Sequence, residues 1–263
     1  MVERRFNQVI AGVVALVVMA VVWDKINDAR RPPAPPPAPP QASQPAPDSQ
    51  TQAGRAEPSV RPADNSPSYM EQLARAEERR QIRASAALTY LNDIFAKSSD
   101  STLHRWEGRI FAPVRVYLGG GGTVANYQPA FLDAVRSAFA RWQDAGVPVR
   151  FDLGADSNEA EVRLKWKVQF EIDRTGQTDL TWDAMGHHQS GVITLATFNQ
   201  LGQPMGMEEI RIVAMHEIGH LLGLDHSPDS TDLMYPVARV RDLSDRDIQT
   251  ARMLYQLPTG SIR

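Results

Sequence analysis

Between His216 and His226 the chain reads His-Glu-Ile-Gly-His-Leu-Leu-Gly-Leu-Asp-His. On a helix, residues four apart lie on one face, one turn above the other. His216 and His220 can therefore aim their imidazoles at a single ion. Glu217 is displaced by one position and can reach a bound water without being a ligand. Two histidines leave a zinc site unfinished, because a catalytic site takes three protein ligands and keeps one position open. Gly223 can adopt the left-handed conformation that ends a helix, which lets His226 swing under the metal three residues later. Three neutral imidazoles leave room for a water whose pKa falls to about 7 on zinc. The implied chemistry is metal-assisted hydrolysis, with Glu217 as general base. As an ordinary core helix the stretch is poor: it holds three of the chain's six histidines, and Gly219 and Gly223 both weaken a helix.

The run HEIGHLLGLDHS followed by DLMYP resembles the metzincin metallopeptidases, and among them the matrixins. That resemblance implies one catalytic Zn2+ held by His216, His220 and His226, with Glu217 activating the water. It implies a methionine turn at Met234, packed beneath the three imidazoles, and it makes Gly223 structural. Pro236 and the residues after it match the segment that walls the pocket for the residue following the scissile bond. Leu180 and Ala184 on the sheet edge, with Tyr235 and Pro236 opposite, are the implied substrate contacts. Asp247 matches an aspartate that is buried and bonds the methionine-turn backbone. The position before it, often an Asp that pairs with the mature N-terminus, is Arg246 here. Cysteine latency is excluded, since the chain has no cysteine. Calcium is common in the family, and no ligands for it can be assigned in this sequence. The resemblance is strong over residues 207–257, weaker over 104–206, and does not reach the first hundred residues.

The elements that must position these groups are legible from pattern. Met207 to Leu222 has helical periodicity, with Ile210, Val213, Ala214 and Leu221 on or near one face. Ser244 with Asp247 reads as a capping box opening a final helix. Tyr127 to Ala145 is amphipathic, with Phe131, Val135, Ala138, Phe139 and Trp142 on one side. Pro113–Leu118, Val149–Leu153, Glu161–Lys167, Asp179–Ala184 and Gly191–Phe198 read as strands. The expectation for residues 101–263 is an α+β domain: a twisted, mostly parallel sheet with an antiparallel edge strand, and three main helices. The substrate-binding edge is expected at Asp179–Ala184, with Gly191–Phe198 second. Trp182 there suits core packing or a substrate contact. Gly119–Gly122 form a loop without the Lys-Ser/Thr of a phosphate loop. His187 and His188 read as surface-loop residues whose spacing from Asp183 does not match a second zinc site.

Upstream, Val9 to Trp23 is an apolar run of 15 residues behind Arg4 and Arg5. Residues 1–31 therefore form either a signal-anchor, the favoured reading, or a cleaved signal peptide. The catalytic domain is then extracytoplasmic, membrane-anchored in the first case and secreted in the second. Residues 32–67 hold 12 of the 19 prolines and form a disordered spacer rather than a core. Residues 68–100 are a helical segment, with one helix over Tyr69–Lys97 and an apolar face at Leu88, Leu91 and Phe95. That helix docks on the following domain or covers its cleft.

A net charge of -3 offers no reason to expect a nucleic-acid partner, and oligomeric state is not legible. The reading is a zinc-dependent endopeptidase acting on protein or peptide substrates. The alternative is a catalytically inactive, membrane-tethered, zinc-stabilised binding module. A third reading, a zinc hydrolase of non-peptide amides, predicts a closed pocket rather than an open groove.

Overall fold

A computed structural model describes residues 68–97, 102–258 and 260–261. The apolar N-terminal segment and the proline-rich spacer lie outside these residues. No helix among the described residues is long and apolar enough to cross a membrane.

Five strands form the main sheet: β2 (Val114–Leu118), β3 (Phe151–Asp152), β4 (Val162–Lys167), β5 (Gly176–Trp182) and β6 (His188–Ala196). Their order is β3-β2-β4-β6-β5. Every pairing is parallel except β5 with β6, which is antiparallel and leaves β5 at the edge. The mostly parallel sheet with one antiparallel edge strand is the expected one. Alternation sets its faces. Val114 and Val116 of β2, and Val162 and Leu164 of β4, point into the core, while Arg115 and Lys165 face out. A smaller antiparallel pair, β1 (Thr102–Leu103) with β7 (Gly260–Ser261), joins the two ends of the domain.

Two helices pack on the core face of the sheet. Helix α3 (Phe131–Asp144) buries Phe131, Ala134, Val135, Ala138, Phe139 and Trp142, the spacing of a single apolar stripe. It begins four residues later than its pattern suggests, because Gln128–Ala130 form turns before the first full helical bond. Helix α4 (Met207–Leu221) is buried on most of its circumference, from Ile210 to Leu221. Trp142 Nε1 donates to the Met215 carbonyl and Trp106 Nε1 to that of Leu221, each at 2.9 Å. Two indoles thus brace the helix that carries the histidines. Helix α5 (Asp245–Gln256) starts at Ser244, whose Oγ accepts from the Asp247 amide at 3.0 Å, while Asp247 Oδ2 accepts from the Ser244 amide at 2.9 Å. The expected capping box is present.

The helix expected over Tyr69–Lys97 is instead two: α1 (Tyr69–Ala84) and α2 (Leu91–Lys97). The break is chemical. Ser85 Oγ donates to the Ile82 carbonyl and Thr89 Oγ1 to the Ser85 carbonyl, at 2.9 and 3.1 Å. Such local side-chain bonds compete with helix continuation. The break corrects the apolar face: Leu88 is exposed, and Tyr90 is fully buried beside Leu91. The Tyr90 amide donates to Thr250 Oγ1 at 3.2 Å, so the segment docks on α5.

Candidate metal centre and substrate cleft

His216 and His220 sit one turn apart on α4, and each has its Nδ1 held by a carbonyl. His216 Nδ1 donates to Leu233 O and His220 Nδ1 to Leu224 O, both at 2.8 Å. Those bonds fix the tautomer that leaves each Nε2 lone pair free to ligate. Helix α4 gives way at Gly223, whose φ is +100°, as its sequence position suggested. A Cβ there would lie 2.1 Å from the His104 carbonyl oxygen, so strain and a backbone clash both select glycine. The turn brings His226 round to complete the triad. Nε2 of His220 lies 3.2 Å from that of His216 and 3.3 Å from that of His226. A tetrahedral zinc with bonds of about 2.0–2.1 Å sets its ligand atoms about 3.3–3.4 Å apart, so the three nitrogens fit that ion. Burial keeps the imidazoles neutral: the His216 pKa falls to about 3 and that of His220 to about 4. No other group of three potential ligands converges among the described residues.

Met234 is fully buried, against Gly219 of the helix that carries His216 and His220. Its place explains Gly219, which as a helix residue was only a cost in the sequence. A Cβ at Gly219 would meet Met234 Sδ at 2.3 Å and Trp142 Cζ2 at 3.2 Å. Asp247 holds the turn, accepting from Leu233 N at 2.8 Å and Met234 N at 3.4 Å. It also accepts from the Tyr90 hydroxyl at 3.0 Å, a partner that sequence reasoning missed. Burial raises the Asp247 carboxyl, and the amides of Ser244 and Leu233 oppose that rise. Arg246, where an N-terminal partner was not expected, pairs with Asp229 at 3.3 Å and with buried Asp232 at 3.2 Å. Asp232 also accepts from the Ser227 and Ser244 hydroxyls. This second carboxylate had no signal beyond its place in the DLMYP run.

Glu217 is buried, and its carboxyl is pushed up to about 7, chiefly by burial. The Thr178 hydroxyl and Arg174 oppose the shift, and a cation at the histidines would lower it further. The cleft beside it has a volume of about 1170 Å³. It runs along β5, past Gly176, Thr178, Leu180 and Trp182, with Pro236, Val237 and Ala238 on its opposite wall. Of the expected substrate contacts, Leu180 and Pro236 line it. Ala184 lies in the turn after β5, because the strand begins three residues and ends two residues earlier than its pattern suggested. Tyr235 stands outside the lining, its ring under the Arg239 guanidinium at 5.4 Å. Trp182 is half exposed at the cleft, edge-on to His104 at 4.4 Å.

His187 forms an isolated parallel bridge with Arg105 and is bonded to Asp183 through its amide and ring, at 2.9 and 3.1 Å. His188 is not a loop residue. It opens β6, is 2% exposed, and packs edge-on against Trp106 at 5.6 Å. Alternation alone does not reveal it, because a register shift between Thr181 and Trp182 puts His188 out of phase with the buried Gly191, Ile193 and Leu195 of the same strand.

A family model described as matrixin, of peptidase family M10, matches residues 124–256. The chain belongs to the matrixin family. Among curated proteins it is similar to karilysin of Tannerella forsythia, 31% identical over 137 residues, which cover 48% of this chain and 29% of that protein. It is also similar to metalloendoproteinase 1 of Glycine max, 47% identical over 139 residues, covering 48% of this chain and 45% of that protein. The chain thus spans less than half the length of either relative. The matrixin match begins at Val124 and takes in α3, the sheet edge, the histidines and α5. Tyr90 and the α1–α2 segment lie upstream of it.

Proposed function

We propose that this matrixin is a zinc-dependent endopeptidase that hydrolyses peptide bonds in an extended substrate. The observation that carries the reading is the convergence of three Nε2 atoms within ligand distance, beside a buried glutamate, at an open cleft bounded by a sheet edge. His216, His220 and His226 hold the ion, and the zinc, when bound, supplies a Lewis acid that polarises a carbonyl and acidifies water. Glu217 takes the water's proton and passes it to the departing amine. Strand β5 has one free edge, and an extended peptide can add to it through main-chain hydrogen bonds, aligning the scissile bond over the triad. Leu180 and Pro236 line that path. The inactive binding-module reading draws no support from a complete triad with Glu217 beside it. The non-peptide hydrolase reading calls for a closed pocket, and the cleft is open along β5.

The N-terminal apolar run and the spacer support a tethered, extracytoplasmic domain.

The test compares the full chain with Glu217→Ala and His220→Ala on an unstructured protein such as casein. Glu217→Ala is expected to keep one zinc and lose turnover, and His220→Ala to lose both. A purified Glu217→Ala protein that still cleaved would overturn the assignment. Chelator-insensitive cleavage by the wild type would remove the metal from the mechanism.

A further inference from the structure

Strand β5 does more than border the cleft. Thr178 Oγ1 lies 2.7 Å from Glu217 Oε2 and 3.0 Å from the Glu217 carbonyl oxygen. A threonine hydroxyl has one proton, and a carboxylate oxygen is a stronger acceptor than an amide carbonyl. The proton therefore goes to Oε2. Two positions earlier on the same strand face stands Gly176. A Cβ there would lie 2.4 Å from Glu217 Oε1, 2.7 Å from Cγ and 2.8 Å from Cδ. The side chain is thus held by a donor on one oxygen and lies flush against a bare backbone under the other.

We propose that Thr178 is a positioning residue for the general base, holding Oε2 of Glu217 so that Oε1 is the oxygen that moves the proton. The proposal rests on the endopeptidase reading and adds to it a division of labour between the two carboxylate oxygens. In the forward step the water's proton goes to Oε1 and then to the leaving amine, while Thr178 keeps its own proton throughout. With Oε2 engaged by Thr178, Oε1 is the oxygen left without that donor. Threonine suits the task because β-branching restricts χ1, so the hydroxyl is held as well as holding. Thr178 also belongs to the strand proposed to pair with substrate, so one element registers both the scissile bond and the base. Placement of that kind is where a displacement of about 1 Å is costly to rate.

The test is steady-state kinetics on the full-length zinc protein, comparing wild type with Thr178→Val, Thr178→Ser and Glu217→Gln, with zinc content measured for each. Valine keeps the shape and removes the donor. The expected result for Thr178→Val is a 10- to 100-fold loss of kcat, on the order of what a hydrogen bond to a charged group contributes. KM should stay within about twofold, and one zinc should be retained. Serine should restore most of kcat. In a Glu217→Gln background the valine change should cost nothing further, because the two residues act as a unit. Unchanged kcat in Thr178→Val, with Glu217→Gln inactive, overturns the positioning role and leaves the peptidase reading standing. A loss that serine fails to restore, or one that appears wholly in KM, also overturns it. If Thr178→Val does not fold, Thr178→Ala removes the same donor without the methyl and is read in the same way. Activity in Glu217→Gln equal to wild type defeats the peptidase mechanism itself.

Discussion

Removing the Tyr90 hydroxyl isolates the contact between the N-terminal helical segment and the methionine turn. Tyr90 is fully buried, and its hydroxyl donates to Asp247 Oδ1 at 3.0 Å. Burial, and then the Asp247 charge, raise its pKa well above the usual phenol value, so it is a donor at every pH of interest. Asp247 also accepts from the amides of Leu233, Met234 and Ser244. Four donors on two oxygens match the acceptor capacity of a carboxylate and not of a carboxylic acid. A hydrogen bond to a charged group contributes about 1.5–3 kcal/mol. Tyr90→Phe keeps the ring in place and leaves Asp247 three donors, which argues for the lower half of that range, about 1.5–2 kcal/mol. For a folded domain of this size each kcal/mol moves Tm by about 2–4 °C, so the expected drop is about 3–8 °C. Calorimetry of the zinc-loaded full chain reads it. A shift below about 1 °C would show that the Tyr90 bond adds nothing to the folded state. Deleting residues 68–97 extends the test. The docking described here predicts a larger fall in Tm and no gain in kcat/KM, whereas a segment that covers the cleft predicts activation.

Chelation should lower Tm of the wild type, restored by zinc, while His226→Ala should show little response to either; titration followed by thermal unfolding checks this, and an equal response in the variant would place the ion elsewhere. Gly219→Ala sets a Cβ 2.3 Å from Met234 Sδ, so despite a better helix residue it should destabilise by about 1–3 kcal/mol and weaken zinc retention, both measurable by denaturant unfolding with metal analysis. His188 gives a pH signature of its own. Its pKa is lowered to about 4 by burial and by His104, so the folded state refuses a proton that the unfolded chain accepts below about 6.5. Stability from this group is complete above that value and is lost as pH falls from about 6.5 to 4, by about 3 kcal/mol in all. His188→Phe should flatten that part of the stability–pH curve, and an unchanged slope would refute the assignment.

The placement of the candidate site residues was legible in the sequence to the extent that it is periodic or local. His216, Glu217 and His220 follow from the four-residue helical repeat, Gly223 from its position before His226, and the Ser244–Asp247 box from a three-residue spacing. The sheet was read correctly in its parallel body and antiparallel edge. Its edge strand was begun three residues late and ended two late, because Gly176 and Gln177 carry little strand signal and the pattern carries on through Asp183 and Ala184. The one long helix over 69–97 failed for a related reason. Helical periodicity continues through Ser85 and Thr89, and only their side-chain bonds to the backbone reveal the break. Thr178, Tyr90 and Asp232 were invisible for a different reason. Each acts on a partner chosen by the fold: Thr178 on Glu217 across 39 residues and Tyr90 on Asp247 across 157. No local pattern encodes such a pairing.

Those long-range contacts share one design. The histidines are held from beneath by carbonyls of Leu233 and Leu224, and Leu233 is itself held through its amide by Asp247. Asp247 is fixed by its cap at Ser244 and by Tyr90, while Arg246, over the Tyr90 ring at 5.7 Å, is anchored by Asp229 and Asp232. From outer segment to ligand the chain of contacts is Tyr90, Asp247, Leu233, His216, and each link is a hydrogen bond of 2.8–3.0 Å. Orientation of the first ligand is therefore set by residues that never approach the metal, as expected for sites whose outer partners tune affinity by about 10- to 100-fold. At Arg246 the corner is closed from within the described residues, by the Tyr90 bond to Asp247 and the pairs to Asp229 and Asp232.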